Sequence, residues 1–259
     1  MPIDDKKMNS VQAIDRALLV LETIAKESSL SINDLHILLG LNKASLSRIT
    51  ATLHNKGYLN REEKTGNYSL SLRTFEIGVR AVRNLDYINL IKGSLANLSS
   101  ELSVIAQYSI EDHHELLCLE SFDHKNTGFS LYTRVGQRSP LYATSAGKAI
   151  LSTYSNEEIM EKWKHMEIRT LTSNTITDID ALLQDIALTR QRNYALDMEE
   201  SEYGVYCIGT ALLNYNRQPI GAISLSSSSM TAEEQECYGD ALLQQSKRLS
   251  NMLGYSRHW

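Results

Sequence analysis

Between Leu30 and Asn55 the chain reads LSINDLHILLGLNKASLSRITATLHN, two short helices' worth of sequence joined at a single turn. Ser31 is placed to N-cap the first helix, with Asp34 three residues on to complete a capping box and Leu30 able to staple onto Leu35. Asn42 stands in the same relation to the second helix, with Leu41 facing Leu46. Gly40 sits between them, where a chain leaving a helix often needs a left-handed residue. The second helix has two unlike faces. Leu46, Ile49 and Leu53 recur at helical spacing, whereas Ala44, Ser47, Arg48, Ala51 and Asn55 point the other way. A small, polar, cationic outer face of this kind suits a helix lying in a DNA major groove.

The next residues support the same reading. Gly57–Asn60 and Tyr68–Leu70 flank the polar stretch Arg61–Asn67, which predicts strand, turn, strand. A helix-turn-helix followed by such a hairpin is a winged helix. Arg61 and Lys64 at the wing are placed to meet phosphate, contacts that position a domain without reading sequence. The candidate DNA-binding set is therefore Asn42, Lys43, Ala44, Ser45, Ser47, Arg48, Arg61 and Lys64. Upstream, a helix over residues 11–25 is expected to pack Val11, Ile14, Leu18, Leu21 and Ala25 behind the motif as one apolar stripe.

Net charge over the 259 residues is −5, which suits DNA poorly until it is divided along the chain. Residues 1–73 carry ten Lys/Arg against eight Asp/Glu, and the remainder sixteen against twenty-three. Positive sign is thus confined to the part that would face phosphate. The excess is small, so affinity is expected to rest on a few contacts and on two copies of the domain. No apolar run approaches a membrane span and the N-terminus lacks a signal-peptide core, which predicts a cytoplasmic protein, nucleoid-associated when DNA-bound, with no membrane partner. Cys118, Cys207 and Cys237 lie far apart without metal-type spacing, so reduced thiols and no metal or cofactor are expected.

Beyond a connecting helix at Arg73–Asn84 the pattern changes. A helix over Tyr87–Leu102 leads into strands at Ser103–Ile110, Glu115–Phe122 and Gly128–Thr133, with Asp112-His113-His114 as a hairpin turn. Helices follow at Ser145–Tyr154, Asn156–His165 and Asp178–Arg192, strands at Tyr194–Asp197, Val205–Asn214 and Pro219–Ser226, and a last helix at Thr231–Leu253. Mixed elements without regular alternation predict an α+β domain built on a mostly antiparallel sheet. The adjacent histidines splay their rings and have no third ligand nearby, which argues against a metal. Thr144 and Ser145 open a helix whose first amides favour an anion, or serve simply as caps. Asp197, Cys207, Ser224 and Ser226 are an acceptor, a thiol and two hydroxyls that one pocket would bring together around a small polar molecule, or else core and strand-end residues.

These segments resemble the IclR-type transcriptional regulators over nearly the whole chain. The resemblance is carried by Ser10–Leu18 (SVQAIDRAL), the Leu41–Leu53 helix, Gly57-Tyr58-Leu59, Tyr68-Ser69-Leu70, Ser145–Ala149 (SAGKA), Gly204–Ile208 (GVYCI) and Ala222–Ser226 (AISLS). Within the family, Arg73–Gly78 (RTFEIG), Arg134–Tyr142 (RVGQRSPLY) and Met252–Tyr255 (MLGY) are similar to the KdgR-like regulators of sugar-acid catabolism. The resemblance implies a winged helix-turn-helix over residues 10–72, a linker helix over 73–86 and a GAF-like effector-binding domain over 87–259. It implies a homodimer or dimer of dimers on a double-stranded operator, and a small carboxylate or sugar-acid effector held by Thr144, Ser145, Ala146, Asp197, Cys207, Ser224 and Ser226. Tyr206 replaces an Arg common in close relatives, and Gly209-Thr210-Ala211 replaces a more usual Ala-Val-Pro.

The expected function is a non-enzymatic repressor of a sugar-acid catabolic operon, released from its operator by a small acid. Three other readings fit the same residues. One is a transcriptional activator of the same architecture. Another is a GAF-like protein with a reactive Cys207, for which no His or Lys lies close in sequence to lower the thiol pKa. The third is a structural module whose helix-turn-helix only mediates dimerisation.

Overall fold

A computed structural model describes residues 11–83, 87–123 and 135–253. The strand expected at Gly128–Thr133 lies outside them, as do Ser10 and the end of the Met252–Tyr255 motif. The chain divides into two units, residues 1–86 and 87–259.

The first unit comprises helices α1 (Gln12–Glu27), α2 (Ile32–Leu39) and α3 (Lys43–Asn55), the hairpin β1 (Leu59–Arg61) and β2 (Tyr68–Leu70), and α4 (Leu72–Arg83). The local signals read in the sequence are the ones that shape it. The Ser31 hydroxyl accepts from the Asp34 amide, the Asp34 carboxylate accepts from the Ser31 hydroxyl and then its amide, and these two bonds to the carboxylate hold the Asp34 pKa low. Gly40 closes α2 with φ +66°, in the left-handed region. Asn42 caps α3 by accepting the Ser45 amide at 2.8 Å. The β1–β2 hairpin forms in register from Leu59↔Leu70 to Arg61↔Tyr68, and Leu30 bridges to Tyr68 as a short third rung.

Helix α1 buries a different face from the one its periodicity favours. Val20 and Ile24 are fully buried with Leu35, Leu46, Leu59 and Tyr68, and Leu21 packs against them in part. Val11, Ile14 and Leu18 stay 60%, 56% and 52% exposed, and Ala25 is exposed as well. The run Ala17–Leu21 is apolar all round, so two stripes satisfy a helical period and tertiary contact selects the second.

The second unit is an antiparallel sheet in the order β5-β4-β3-β8-β7-β6 with helices on its faces. The strands are β3 (Ile105–Asp112), β4 (Glu115–Asp123), β5 (Arg138–Pro140), β6 (Ala195–Met198), β7 (Tyr206–Leu213) and β8 (Pro219–Ser227). The helices are α5 (Ile88–Leu102), α6 (Ser145–Leu151), α7 (Asn156–Trp163), α8 (Ile179–Arg192) and α9 (Ala232–Met252). Strand β5 escapes sequence reading because three residues ending in Pro carry no alternation. Helix α6 stops at Leu151, short of the expected Tyr154. The β3–β4 hairpin turns on His113 and His114, both at positive φ as a two-residue primed turn requires, and the His114 ring stacks on His165.

Alternation along the central strands separates two faces. Tyr108 meets Tyr87 at the start of α5, whereas its neighbours Gln107 and Ser109 face the cleft beside α6. Strand β6 pairs only with the first half of β7. Helix α9 serves the uncovered half: the Ser246 hydroxyl donates to Ala211 O, and the Leu213 amide donates to the Ser250 hydroxyl. This satisfies an edge that would otherwise be left bare.

Helix α6 is tied down electrostatically. Lys148 is completely buried, with Nζ 2.6 and 2.8 Å from the Glu200 carboxylate and 3.0 Å from Asp185 of α8. Burial pushes the Glu200 carboxyl up to about 7 against the pull of the Lys148 ammonium. Glu200 therefore holds a proton in the folded chain at pH values where the unfolded chain has lost it, and its contribution to stability falls as pH rises from its ordinary value towards 7. Lys148→Met leaves the buried Glu200 without its cation, while Asp185 keeps Arg192 at 3.6 Å, and should lower stability by about 3–5 kcal/mol at pH 8, less near pH 5 where Glu200 takes up a proton. Urea unfolding at both pH values measures this; an unchanged midpoint would show that the cluster does not hold the domain together.

Candidate functional site

Two surfaces collect the residues singled out in the sequence. On α3 one side is consumed by the core: Leu46 and Thr50 are fully buried, and Ile49 and Leu53 partly so. Thr50 joins that side because its hydroxyl donates to Ser47 O, so a polar residue is carried inward without an unsatisfied group. The opposite side is bare. Asn42, Lys43, Ala44, Ser47, Arg48, Ala51 and Asn55 are exposed, and Ser45 is half-buried. No carboxylate stands on α3, and among the described residues Arg48 has only a backbone role within the unit, its carbonyl accepting the Thr52 hydroxyl.

At the wing, Arg61 and Lys64 are exposed. The Arg61 guanidinium lies 5.8 Å from the centroid of the Tyr68 ring, a stacking contact that fixes the side chain while leaving its charge available. Glu62 is partly occupied by the Thr65 hydroxyl at 2.5 Å. A row of donors along one helix and two cations on an adjoining hairpin are the parts needed to meet base edges and phosphates respectively.

In the second unit, all seven residues expected around a ligand line one cleft. Thr144, Ser145 and Ala146 come from the start of α6, Asp197 from β6, Cys207 from β7, and Ser224 and Ser226 from β8. The strand register explains the grouping, since Cys207 lies opposite Ser226 on one side and Asp197 on the other. Its Sγ is 3.1 Å from the Ser226 hydroxyl. The sequence reading missed Gln107 and Ser109 on β3, Cys118 on β4, and Gln137, Ser139 and Ser201. Gln107 and Ser109 alternate as Ser224 and Ser226 do, and that shared period was the available signal. Gln137, Ser139 and Ser201 arrive from irregular or very short segments, where no periodicity exists.

Three of the expected residues have internal work. The Thr144 hydroxyl accepts from the Gly147 amide and donates to Pro140 O, which makes it a helix cap. Both oxygens of Asp197 are engaged by its own loop: Oδ1 accepts the Glu200 and Ser201 amides at 2.7 and 3.2 Å, and Oδ2 the Ser201 hydroxyl at 2.6 Å. Burial raises the Asp197 pKa, and these donors with nearby Lys148 work against that rise. Asp197 shapes the cleft by fixing residues 197–201. Cys207 is buried, and its Sγ meets the Ser226 hydroxyl within the lining of the cleft.

Close backbone approach narrows the cleft. A Cβ on Gly209 would stand 2.9 Å from the Ala146 amide nitrogen and from the Ser145 carbonyl carbon, so only glycine lets α6 sit this near β7. Tyr206, on the other side of the strand from Cys207, bonds to Glu199, which raises its hydroxyl pKa. The free volume is about 40 Å³, against roughly 10–15 Å³ needed for one water, which suits a compact polar occupant. Hydroxyl and amide groups dominate the lining, and Asp197 is its single carboxylate among the described residues.

The family models for the IclR helix-turn-helix domain and for the bacterial transcriptional regulator IclR C-terminal region match residues 13–63 and 79–251. The HTH-type transcriptional regulator XynR of Escherichia coli K12 is 31% identical over 251 residues, covering 96% of this chain and 99% of XynR. The regulator KdgR of the same organism is 27% identical over 253 residues, covering 97% and 96%. Further relatives from that strain, YiaJ, IclR and AllR, are described as transcriptional repressors. The crystal structure of the Thermotoga maritima IclR is similar with a TM-score of 0.79 at 25% identity, covering 93% of this chain and 98% of that one. The two family models and the 31% identity to XynR over most of both chains establish that this protein belongs to the IclR family of transcriptional regulators, a family of regulators and not of enzymes.

Proposed function

We propose that this regulator is a repressor that binds a two-fold-symmetric operator as a dimer and leaves it when a small hydroxylated acid enters the cleft beside α6. The bare side of α3 carries the reading: Arg48, Ser47, Ser45 and Ala44 meet base edges, Asn42 and Lys43 meet the flanking backbone, and Arg61 and Lys64 meet phosphates across the wing. Single-sided burial of α3 is the observation on which this rests, because nothing else among the described residues of the unit uses that surface.

Dimerisation is supported by the unburied apolar residues of the first unit. Val11, Ile14 and Leu18 form a continuous stripe along α1, and Leu72 and Phe75 on α4 are also exposed. An apolar stripe of this kind is costly in water unless a second copy covers it. Two copies also supply the affinity that a small positive charge excess cannot.

The lining of the cleft favours a short aldonate or similarly small sugar acid, whose hydroxyls match Gln107, Ser139, Ser145, Ser224 and Ser226. A bound acid need only favour one quaternary arrangement over another by about 1–3 kcal/mol to weaken operator binding roughly 5- to 150-fold. Repression is favoured by the repressors among the relatives; the subgroup resemblance to sugar-acid regulators favours the effector class.

Three measurements test the reading. Arg48→Ala should lower operator affinity roughly tenfold or more without changing unfolding, since one good base contact is worth about 1–3 kcal/mol; wild-type anisotropy titrations would remove Arg48 from the interface. Leu18→Glu should convert dimers to monomers in sedimentation and abolish tight operator binding, and a dimer that survives it would exclude the α1 stripe as the contact. Ser224→Val should keep operator binding while raising the aldonate concentration needed for release at least about tenfold; an unshifted release curve would show that the effector binds elsewhere.

A further inference from the structure

A second and larger cavity, of about 690 Å³, opens at the other end of α6. It is lined by the end of α6, the C-terminal end of α8, the half of β7 that β6 leaves uncovered, the β7–β8 turn and the last turns of α9. Its size is within the range of small-molecule sites. Three cations line it, Arg190, Arg217 and Lys247, together with several hydroxyls and side-chain amides, and no Asp or Glu does.

That charge pattern runs against the unit that holds it. Residues 87–259 carry fourteen Lys/Arg and twenty-one Asp/Glu, so acids outnumber bases in the unit as a whole but are absent from this lining. Two of the three cations are also without a counter-charge. The Arg190 guanidinium donates to Ser152 O at 3.0 Å, to Tyr154 O at 2.6 Å and to Asn156 Oδ1 at 2.8 Å, all neutral acceptors. These bonds hold the group in place without neutralising it. Arg217 sits at the turn with φ +61°, and its guanidinium has no hydrogen bond or ion pair among the described residues. A concave surface of one sign with low-dielectric walls concentrates counter-ions. Arginine suits the planar geometry of carboxylate and phosphate.

We propose that this cavity is a second ligand site, distinct from the cleft at the start of α6, and that it takes a small organic polyanion bearing phosphate or several carboxylates. Arg190 supplies a fixed charge at the base, Arg217 and Lys247 close on the ligand from the turn and from α9, and the neighbouring hydroxyls complete its hydrogen bonds. The two cavities share their framework. Helix α6 gives Ser145 and Ala146 to the first and Ala149 and Ser152 to the second; β7 gives Cys207 to the first and Thr210, Ala211 and Leu213 to the second. An anion here therefore grips the same helix and strand that border the other cleft.

Calorimetric titration of the full-length protein with citrate and, separately, with pyrophosphate at fixed ionic strength tests the proposal, the two probes distinguishing polycarboxylate from phosphate. One ion should bind per chain, and Arg217→Asn combined with Lys247→Gln should weaken it roughly tenfold or more while operator binding without ligand is unchanged. Asn keeps the left-handed turn that residue 217 needs. Three results would overturn the site: neither probe binding at millimolar concentration; undiminished binding in the double variant, which would put the anion elsewhere; or loss of subunits from the variant in sedimentation with no bound anion in the wild type, which would make the cavity a contact between copies of the chain.

Discussion

Helix α3 has only thirteen residues to serve two demands, and what reconciles them is that one side is given over to the core. Leu46 and Thr50 have no exposure, and Ile49 and Leu53 complete the contact with α1, α2 and the hairpin. A helix this short is marginal alone, so its shape is borrowed from that packing and from the Asn42 cap. Because the inner side is fixed by close packing, the outer side can carry residues chosen for what they present to a partner. Small residues such as Ala44, Ser47 and Ala51 let a backbone come near, and Arg48 projects beyond them.

The effector unit works by the opposite arrangement. There the inner face of a sheet, where apolar residues would be expected, is hydroxylated around Gln107, Ser109, Ser224 and Ser226, while the other face keeps Tyr108, Ile223 and Leu225. Polar groups inside a domain are tolerated only with partners. Some find them within the protein, as Asp197 does in its loop; those with capacity left over define what a visitor must offer. Lys148 belongs to the same economy of charge. It neutralises acids behind the cleft and fixes the helix that walls it, without lining the cleft itself.

Legibility divided along physical lines. The caps at Ser31, Asn42 and Gly40 and the faces of α3 were readable because they depend on neighbours in sequence. The grouping of Cys207, Ser224 and Ser226 was suggested by residue type, and the register of β7 against β8 explains it. Helix α1 misled because Ala17–Leu21 offers two apolar stripes and only tertiary contact chooses between them. The buried Lys148–Glu200–Asp185 cluster joins residues 52 and 37 positions apart and leaves no periodic trace. Asp197 was identified by position, but its oxygens turn out to accept the Glu200 and Ser201 amides and the Ser201 hydroxyl of its own loop, something no spacing could reveal.

Gly209 gives the cleft a property separate from its lining. The residue offers nothing to a ligand, yet the missing Cβ lets the backbone at Ser145 and Ala146 settle against β7 at distances where any methyl group would collide. The aperture between helix and strand is thus governed by a hydrogen atom. A lineage that exchanged this glycine for a bulkier residue would lever the helix outward and admit a wider class of molecules, with every hydroxyl that greets them left as it was.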